Sequence, residues 1–205
     1  DGRGYPPLRE AIAQYVMTAR GVRCTADQVL VVNGAQHGID LMARLLLDPG
    51  DTAWVEDPGW RPMRATLRAS GAALVRVPVD EQGIDVHEGE RRAPNARLAL
   101  VTPSYQAPLG VALTLERRLA LLDWAARADA WVLEDDYNGE YRYDTDPIPA
   151  VQALDRAGRV IYVGSFSKTV APGLRVGYLV LPPSLMDAVR LTRLAHDVGA
   201  AFVVT

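Results

Sequence analysis

Val160-Ile161-Tyr162-Val163-Gly164-Ser165-Phe166-Ser167-Lys168 opens as an unbroken apolar run and closes on a glycine, two hydroxyls and an amine. A short apolar run of this kind reads as a buried strand, and groups placed just past its carboxyl end sit where open α/β sheets bind ligands. Lys168 is the single lysine of the 205-residue chain; the other 21 of its 22 basic residues are arginine. Arginine therefore supplies the general positive charge, whereas only lysine can lose its proton in a tuned site and attack a carbonyl. Lys168 is either a chance surface survivor or a reactive amine, and its neighbours favour the amine.

Outward from this stretch, apolar runs alternate with helical patterns. Leu8, Ile12, Tyr15, Val16 and Ala19 recur at helical spacing and predict an amphipathic helix over 8–19. Strands are predicted at 29–32, 52–56, 73–77, 98–102, 131–134, 160–163 and 176–181, with helices at 36–47, 61–70, 115–127 and 185–195 between or after them. Thr114 is the expected N-cap of the 115–127 helix, with Glu116 in its first turn. Residues 80–95 and 144–149 read as loops. Such alternation predicts an α/β fold, a three-layer αβα sandwich around a mostly parallel seven-stranded sheet.

Composition narrows the function classes. With 49% hydrophobic residues the chain can bury a real core. Its net charge is −3 and its arginines are scattered among acids, so no basic stripe is present to track a phosphate backbone. Cys24 is the only cysteine, which excludes an internal disulfide, and His37, His87 and His196 lie too far apart in sequence for a metal-ligand spacing. No stretch approaches the roughly 20 apolar residues of a membrane helix, and the first residues are no signal peptide; a cytoplasmic protein is expected. Asp1 opens inside a Gly/Pro turn and residues 200–205 stop on an apolar run, so a longer parent chain is expected.

Four groups fall at predicted strand ends. Asn33-Gly34-Ala35-Gln36 passes from a strand through glycine into a helix, where free N–H groups favour an anion, although many turns of this type are only turns. Asp57-Pro58-Gly59-Trp60 offers an indole to stack on a flat ring or to pack in a core or interface. Glu134-Asp135-Asp136-Tyr137 crowds three carboxylates, which require a positive partner; a heterocyclic N–H⁺, a magnesium ion or plain solvation each satisfies that need. Ser165, Ser167, Lys168 and Arg175 can hold a phosphate while keeping the amine near a carbonyl. Together they describe one ligand, an aromatic aldehyde with a ring nitrogen and a phosphate: pyridoxal 5′-phosphate.

The same stretches, with Val101-Thr102-Pro103-Ser104-Tyr105-Gln106-Ala107-Pro108-Leu109-Gly110 and the run from Glu134 to Tyr143, resemble the aminotransferase-like domain of MocR-type regulators of the GntR superfamily. The resemblance spans nearly the whole chain and implies the large, cofactor-binding domain of a fold-type I, class I/II aminotransferase-like module over residues 1–205. On this resemblance the small C-terminal domain and the N-terminal winged helix are expected to lie outside this chain. The resemblance further implies that Lys168 forms a Schiff base with the cofactor, Asp135 bonds the pyridine nitrogen, Tyr137 reaches the ring hydroxyl and Trp60 stacks on the ring. Gly34, Ala35, Gln36, Ser165, Ser167 and Arg175 fall at the phosphate. Aminotransferases usually place asparagine before the Pro-x-Gly turn, where Ala107 stands here, so Gln106 or Tyr137 must serve the ring hydroxyl or the contact is missing. Tyr105 stands where the family often has histidine.

Catalytic roles are thereby expected for Lys168, Asp135 and Tyr137, with freed Lys168 as general base. No metal is expected. The function expected first is an effector-sensing, dimerising domain that binds a small amine or amino acid and reaches DNA only through a domain outside this chain. Full transaminase turnover is not expected from this piece. A working aminotransferase, or a dimerisation module with a vestigial site, are the other readings. Arg61, Arg64 and Arg142 are read as solvated charges rather than carboxylate-binding groups.

Overall fold

The computed structural model describes residues 2–139, 149–168 and 170–196, so Arg142 and the apolar end at 200–205 lie outside the described residues. Helix α1 (Pro6–Arg20) starts on two prolines that cost nothing at a helix's first turn and ends at Gly21 in the left-handed conformation. There follow β1 (Val29–Val32), α2 (Ala35–Leu46), β2 (Thr52–Asp57), α3 (Arg61–Ala69) and β3 (Ala73–Asp80). Then come β4 (Gly83–Ile84), α4 (Val86–Arg92), β5 (Leu98–Val101), α5 (Leu115–Arg127) and β6 (Trp131–Asp135). The described chain closes with α6 (Val151–Leu154), β7 (Val160–Ser165), β8 (Gly177–Val180) and α7 (Met186–His196).

Among the described residues all the strands form one sheet in the order β1-β8-β7-β6-β5-β2-β3-β4. The block β7-β6-β5-β2-β3 is parallel throughout, and β8 enters antiparallel to both β7 and β1. Two antiparallel steps cancel, so β1 runs in the same direction as β7. The carboxyl ends of β1, β2, β5, β6 and β7 consequently open on one edge of the sheet.

The pleat sorts side chains by parity. Leu30, Val32, Val55, Leu100, Leu133, Ile161 and Val163 face α2, α3 and α7, where they meet Ile39, Met42, Leu67 and Val189. Trp54, Ala99, Val101, Val132 and Val160 face the other way, against Leu121, Trp124 and Val151. On that second face α1 covers the end of the sheet, packing Ile12 and Val16 on Val29, Val31, Tyr162 and Tyr178. Helices on both faces of a mainly parallel sheet make the expected α/β sandwich.

The stretch 80–95 differs from the sequence expectations. The sheet has an eighth member, because the stretch expected to be a loop at 80–95 folds into β4, antiparallel to β3, and into α4. Its helix is specified by polar chemistry rather than by apolar periodicity: Asp85 accepts a hydrogen bond from Glu88 N at 3.1 Å, and Arg91 and Arg92 both reach back to Glu88. Thr114 caps α5 as expected, accepting from Arg117 N at 3.4 Å.

Candidate functional site

A cavity of about 320 Å³ lies at the shared carboxyl edge, a size suited to a small ligand. Its walls come from the start of α2 (Ala35, Gln36), the turn into α3 (Trp60, Met63), the segment after β5 (Thr102, Ala107) and the ends of β6 and β7 (Asp135, Tyr137, Ser165, Ser167, Lys168). Lys168 is exposed, yet it lines the same cavity as the fully buried Asp135. Residues 100 or more apart in the chain meet here because parallel strands deliver every carboxyl end to one edge.

The pleat resolves the crowding of Glu134, Asp135 and Asp136. Glu134 and Asp136 project toward α6 and α1, while Asp135 shares the parity of Leu133 and faces the cavity. Glu134 accepts from Val151 N at 2.8 Å and Gln152 N at 2.9 Å, at the start of α6. Asp136 accepts from Arg20 Nε at 2.6 Å and from the Tyr162 hydroxyl at 2.7 Å, and Arg20 Nη2 continues to Ser104 Oγ at 2.6 Å. The positive partner that the acidic run demands is thus Arg20, on Asp136. Neither oxygen of Asp135 has a hydrogen-bond partner among the described residues. Burial, reinforced by the charges of Asp136 and Glu56, pushes its carboxyl up to about 8. Glu134 rises to about 7 for the same first reason, burial, with Asp136 adding to it.

At the other end of the cavity the β1–α2 turn passes through Gly34 at φ 87°, a conformation that disfavours a side chain. Next to it, β8 begins at Gly177, where an added Cβ would stand 2.7 Å from the Gly34 carbonyl carbon; only glycine lets the two chains pass so closely. Arg175 just upstream adopts φ 52°, in the left-handed region, and its Nη2 lies 3.5 Å from where a Gly34 Cβ would be. The start of α2, Ser165 and Ser167 thus line the cavity, while Gly34 and Arg175 lie against each other and are not among its lining residues. The Gln36 side chain is turned aside, donating to Pro62 O and to the Thr66 hydroxyl and so tying α2 to α3.

Gln106 is not brought to the cavity. Its Nε2 donates to Glu56 Oε2 at 3.0 Å, Pro58 O at 2.9 Å and Ala107 O at 2.9 Å, and its Oε1 accepts from Leu109 N at 3.1 Å. Both hydrogens of its amide are committed to these acceptors, so of the two residues offered for the ring hydroxyl it is Tyr137 that lines the cavity. Tyr137 does line the cavity, and its phenol is pushed up to about 12 by burial and then by Asp135, so it stays a hydroxyl donor. Trp60 is 55% exposed and is neither a core nor a buried residue. Arg64 is not a solvated charge: it braces the 57–60 turn, donating to Asp57 Oδ1 at 3.3 Å and to Gly59 O at 3.0 Å.

Arg20, Met63 and Thr102 were not singled out by sequence reasoning. The signal for Arg20 was the acidic run itself, which required a cation without saying which. Among the described residues no cluster of potential metal ligands and no helix long and apolar enough to cross a membrane is found.

The geometry is that of a fold-type I α/β domain with a small-molecule site at its strand ends. Residues 1–196 match the family described as aminotransferase class I and II, and the chain belongs to that family. It is 48% identical over 184 residues to the probable rhizopine catabolism regulatory protein MocR of Rhizobium meliloti, covering 90% of this chain and 37% of that protein. It is 41% identical over 197 residues to the HTH-type transcriptional regulator TauR of Rhodobacter capsulatus, covering 95% and 40% respectively. Among solved structures, the kynurenine aminotransferase of Pyrococcus horikoshii in complex with PMP superposes with a TM-score of 0.90 at 30% identity, over 97% of this chain and 50% of that one. The chain spans about two fifths of the length of these regulators and half of that enzyme. The matched stretch is thus shared with transcriptional regulators and with an aminotransferase.

Proposed function

We propose that this chain is the cofactor-binding domain of a MocR-type regulator of the GntR family, holding pyridoxal 5′-phosphate as a Schiff base on Lys168 and sensing an amine or amino acid. The observation that carries this reading is Asp135: a fully buried carboxylate without a partner among the described residues, facing a cavity that the chain's single lysine lines. A pyridinium N–H⁺ satisfies such a group with a charge-assisted hydrogen bond, where neutral surroundings leave it costly. Ser165, Ser167, Arg175 and the free N–H groups of Ala35 and Gln36 suit a phosphate dianion. Trp60 suits the ring face and the Tyr137 hydroxyl suits the ring oxygen. The neighbouring enzyme solved with PMP supports the same choice of ligand.

When bound, the cofactor supplies an aldehyde that condenses with primary amines and a ring that draws electrons from the amine-bearing carbon. The protein's part is to orient it: Asp135 keeps a proton on the ring nitrogen, Tyr137 donates from its hydroxyl, and Lys168 Nζ is both attachment point and proton acceptor. An amine or amino acid bound beside Lys168 would change the relative stability of two domain arrangements, and a DNA-binding winged helix elsewhere in the parent protein would report the change. The large-domain role of residues 1–205, a small domain outside them, a homodimeric parent and a cytoplasmic location belong to the same proposal.

The test is made on the intact protein. Borohydride treatment after incubation with pyridoxal 5′-phosphate is expected to fix the cofactor mass on the peptide containing Lys168, and Lys168→Ala to abolish it. Candidate amines are then expected to change both the visible absorbance and operator affinity, the latter by about 5- to 150-fold. Absence of the Lys168 adduct rejects the proposal. The second reading, a working aminotransferase, is favoured by the TM-score of 0.90 to an enzyme; several equivalents of keto acid formed per protein molecule decide for it.

A further inference from the structure

The aminotransferase-type reading assigns no task to Glu56, a carboxylate 6% exposed at the end of β2. Its Oε1 accepts from Thr102 N at 2.9 Å, and its Oε2 accepts from the Thr102 hydroxyl at 2.6 Å and from Gln106 Nε2 at 3.0 Å. Gln106 carries the connection further, donating to Pro58 O in the first turn and accepting from Leu109 N in the second. Gly59 folds back so closely that an added Cβ would stand 2.4 Å from Glu56 O, which fixes the 57–60 turn on the same residue. Trp60, Thr102 and Ala107, three cavity residues from two separate segments, are thus all referred to one acid.

We propose that Glu56 is the positioning residue of this site: its carboxylate, with Gln106 as relay, clamps the turn bearing Trp60 to the turn bearing Thr102 and Ala107 and so sets the wall against which the cofactor ring lies. The inference rests on the cofactor reading for its purpose, but the clamp itself is a property of the cofactor-free fold. Burying a carboxylate is unfavourable unless donors converge on it, and here a backbone N–H, a hydroxyl and an amide do so. The same chemistry explains why an amide in place of this acid is not equivalent. In Glu56→Gln the side-chain carbonyl still accepts from Thr102 N, but the new NH₂ then faces the NH₂ of Gln106, donor against donor.

Amide hydrogen exchange of the intact protein without cofactor tests this. In Glu56→Ala, exchange at the Thr102 and Leu109 amides is expected to rise at least about tenfold, the effect of losing one charge-assisted hydrogen bond, while Leu133 in β6 is unchanged. In Glu56→Gln, Leu109 is expected to rise and Thr102 to remain protected. Gln106→Ala, which leaves the buried acid in place, is expected to free Leu109 alone and keeps the question answerable should Glu56→Ala not fold. Affinity for pyridoxal 5′-phosphate is then expected to fall about tenfold in each variant relative to the parent. Unchanged exchange at Thr102 and Leu109, or a rise spread equally to Leu133, overturns the proposal. A parent protein that takes up no cofactor instead overturns the functional reading and leaves the exchange result standing.

Discussion

Asp135 ties the stability of this fold to pH. Its carboxyl ionises near 3.8 in an ordinary setting and is pushed up to about 8 by burial and by Asp136 and Glu56. Between these values the folded chain holds a proton that the unfolded chain has released. Its contribution to stability is therefore fully present below about pH 4 and is lost as pH rises through about 8. Glu134, raised to about 7, acts in the same direction over a narrower window. Urea unfolding of the cofactor-free protein is expected to show stability declining between pH 5 and pH 8, by at most about 1.4 kcal/mol per pH unit for each such group. Asp135→Asn is expected to flatten the decline, leaving the part due to Glu134. A slope unchanged in Asp135→Asn would show that this carboxyl ionises normally. The sequence announced the acidic triplet but left its partners open; which acid meets a cation, which meets amides and which faces the cavity follows from the pleat of β6 and from Arg20, 116 residues away from Asp136.

At the scale of elements, β7 and β8 control how the lysine-bearing segment leaves the sheet. Gly164 lies opposite Tyr178, and an added Cβ would fall 2.1 Å from the Tyr178 ring carbon Cζ. That ring is buried between Tyr162 and Phe166, at centroid distances of 6.3 and 5.2 Å, so it cannot swing clear. Gly164→Ala is expected to destabilise the fold by about 1–3 kcal/mol through overpacking, seen as a lower midpoint in thermal or denaturant unfolding with no change in the α5 cap. In the sequence Gly164 reads as the end of the strand, whereas β7 continues to Ser165. The glycine is there for the neighbour's ring, a reason no local pattern contains. Helix α4 illustrates the converse: capping chemistry at Asp85 and Glu88 was present in the sequence, but a helix with only Val86 and Gly89 buried has no apolar period to announce it.

For the whole molecule, a ligand that binds only the folded state stabilises it by mass action. Pyridoxal 5′-phosphate at one hundred times its dissociation constant is expected to add about 2.7 kcal/mol, raising the melting midpoint by about 5–10 °C for a domain of this size. Pyridoxine, which lacks both phosphate and aldehyde, is expected to give no shift, and Lys168→Ala a reduced one. An equal shift with pyridoxine would contradict a site built around phosphate and amine. The strand and helix alternation and the glycine turns were legible in the sequence, as was the meeting of Lys168, Asp135, Tyr137 and Trp60 at one strand edge, because backbone periodicity and residue chemistry are local. Only the tertiary structure decided that Gln106 serves Glu56 rather than the cavity, that Arg20 balances Asp136, and that Glu56 joins two turns. Each of those depends on a hydrogen bond between residues 46 to 116 positions apart, and local spacing holds no information about which distant donor a buried acid will meet.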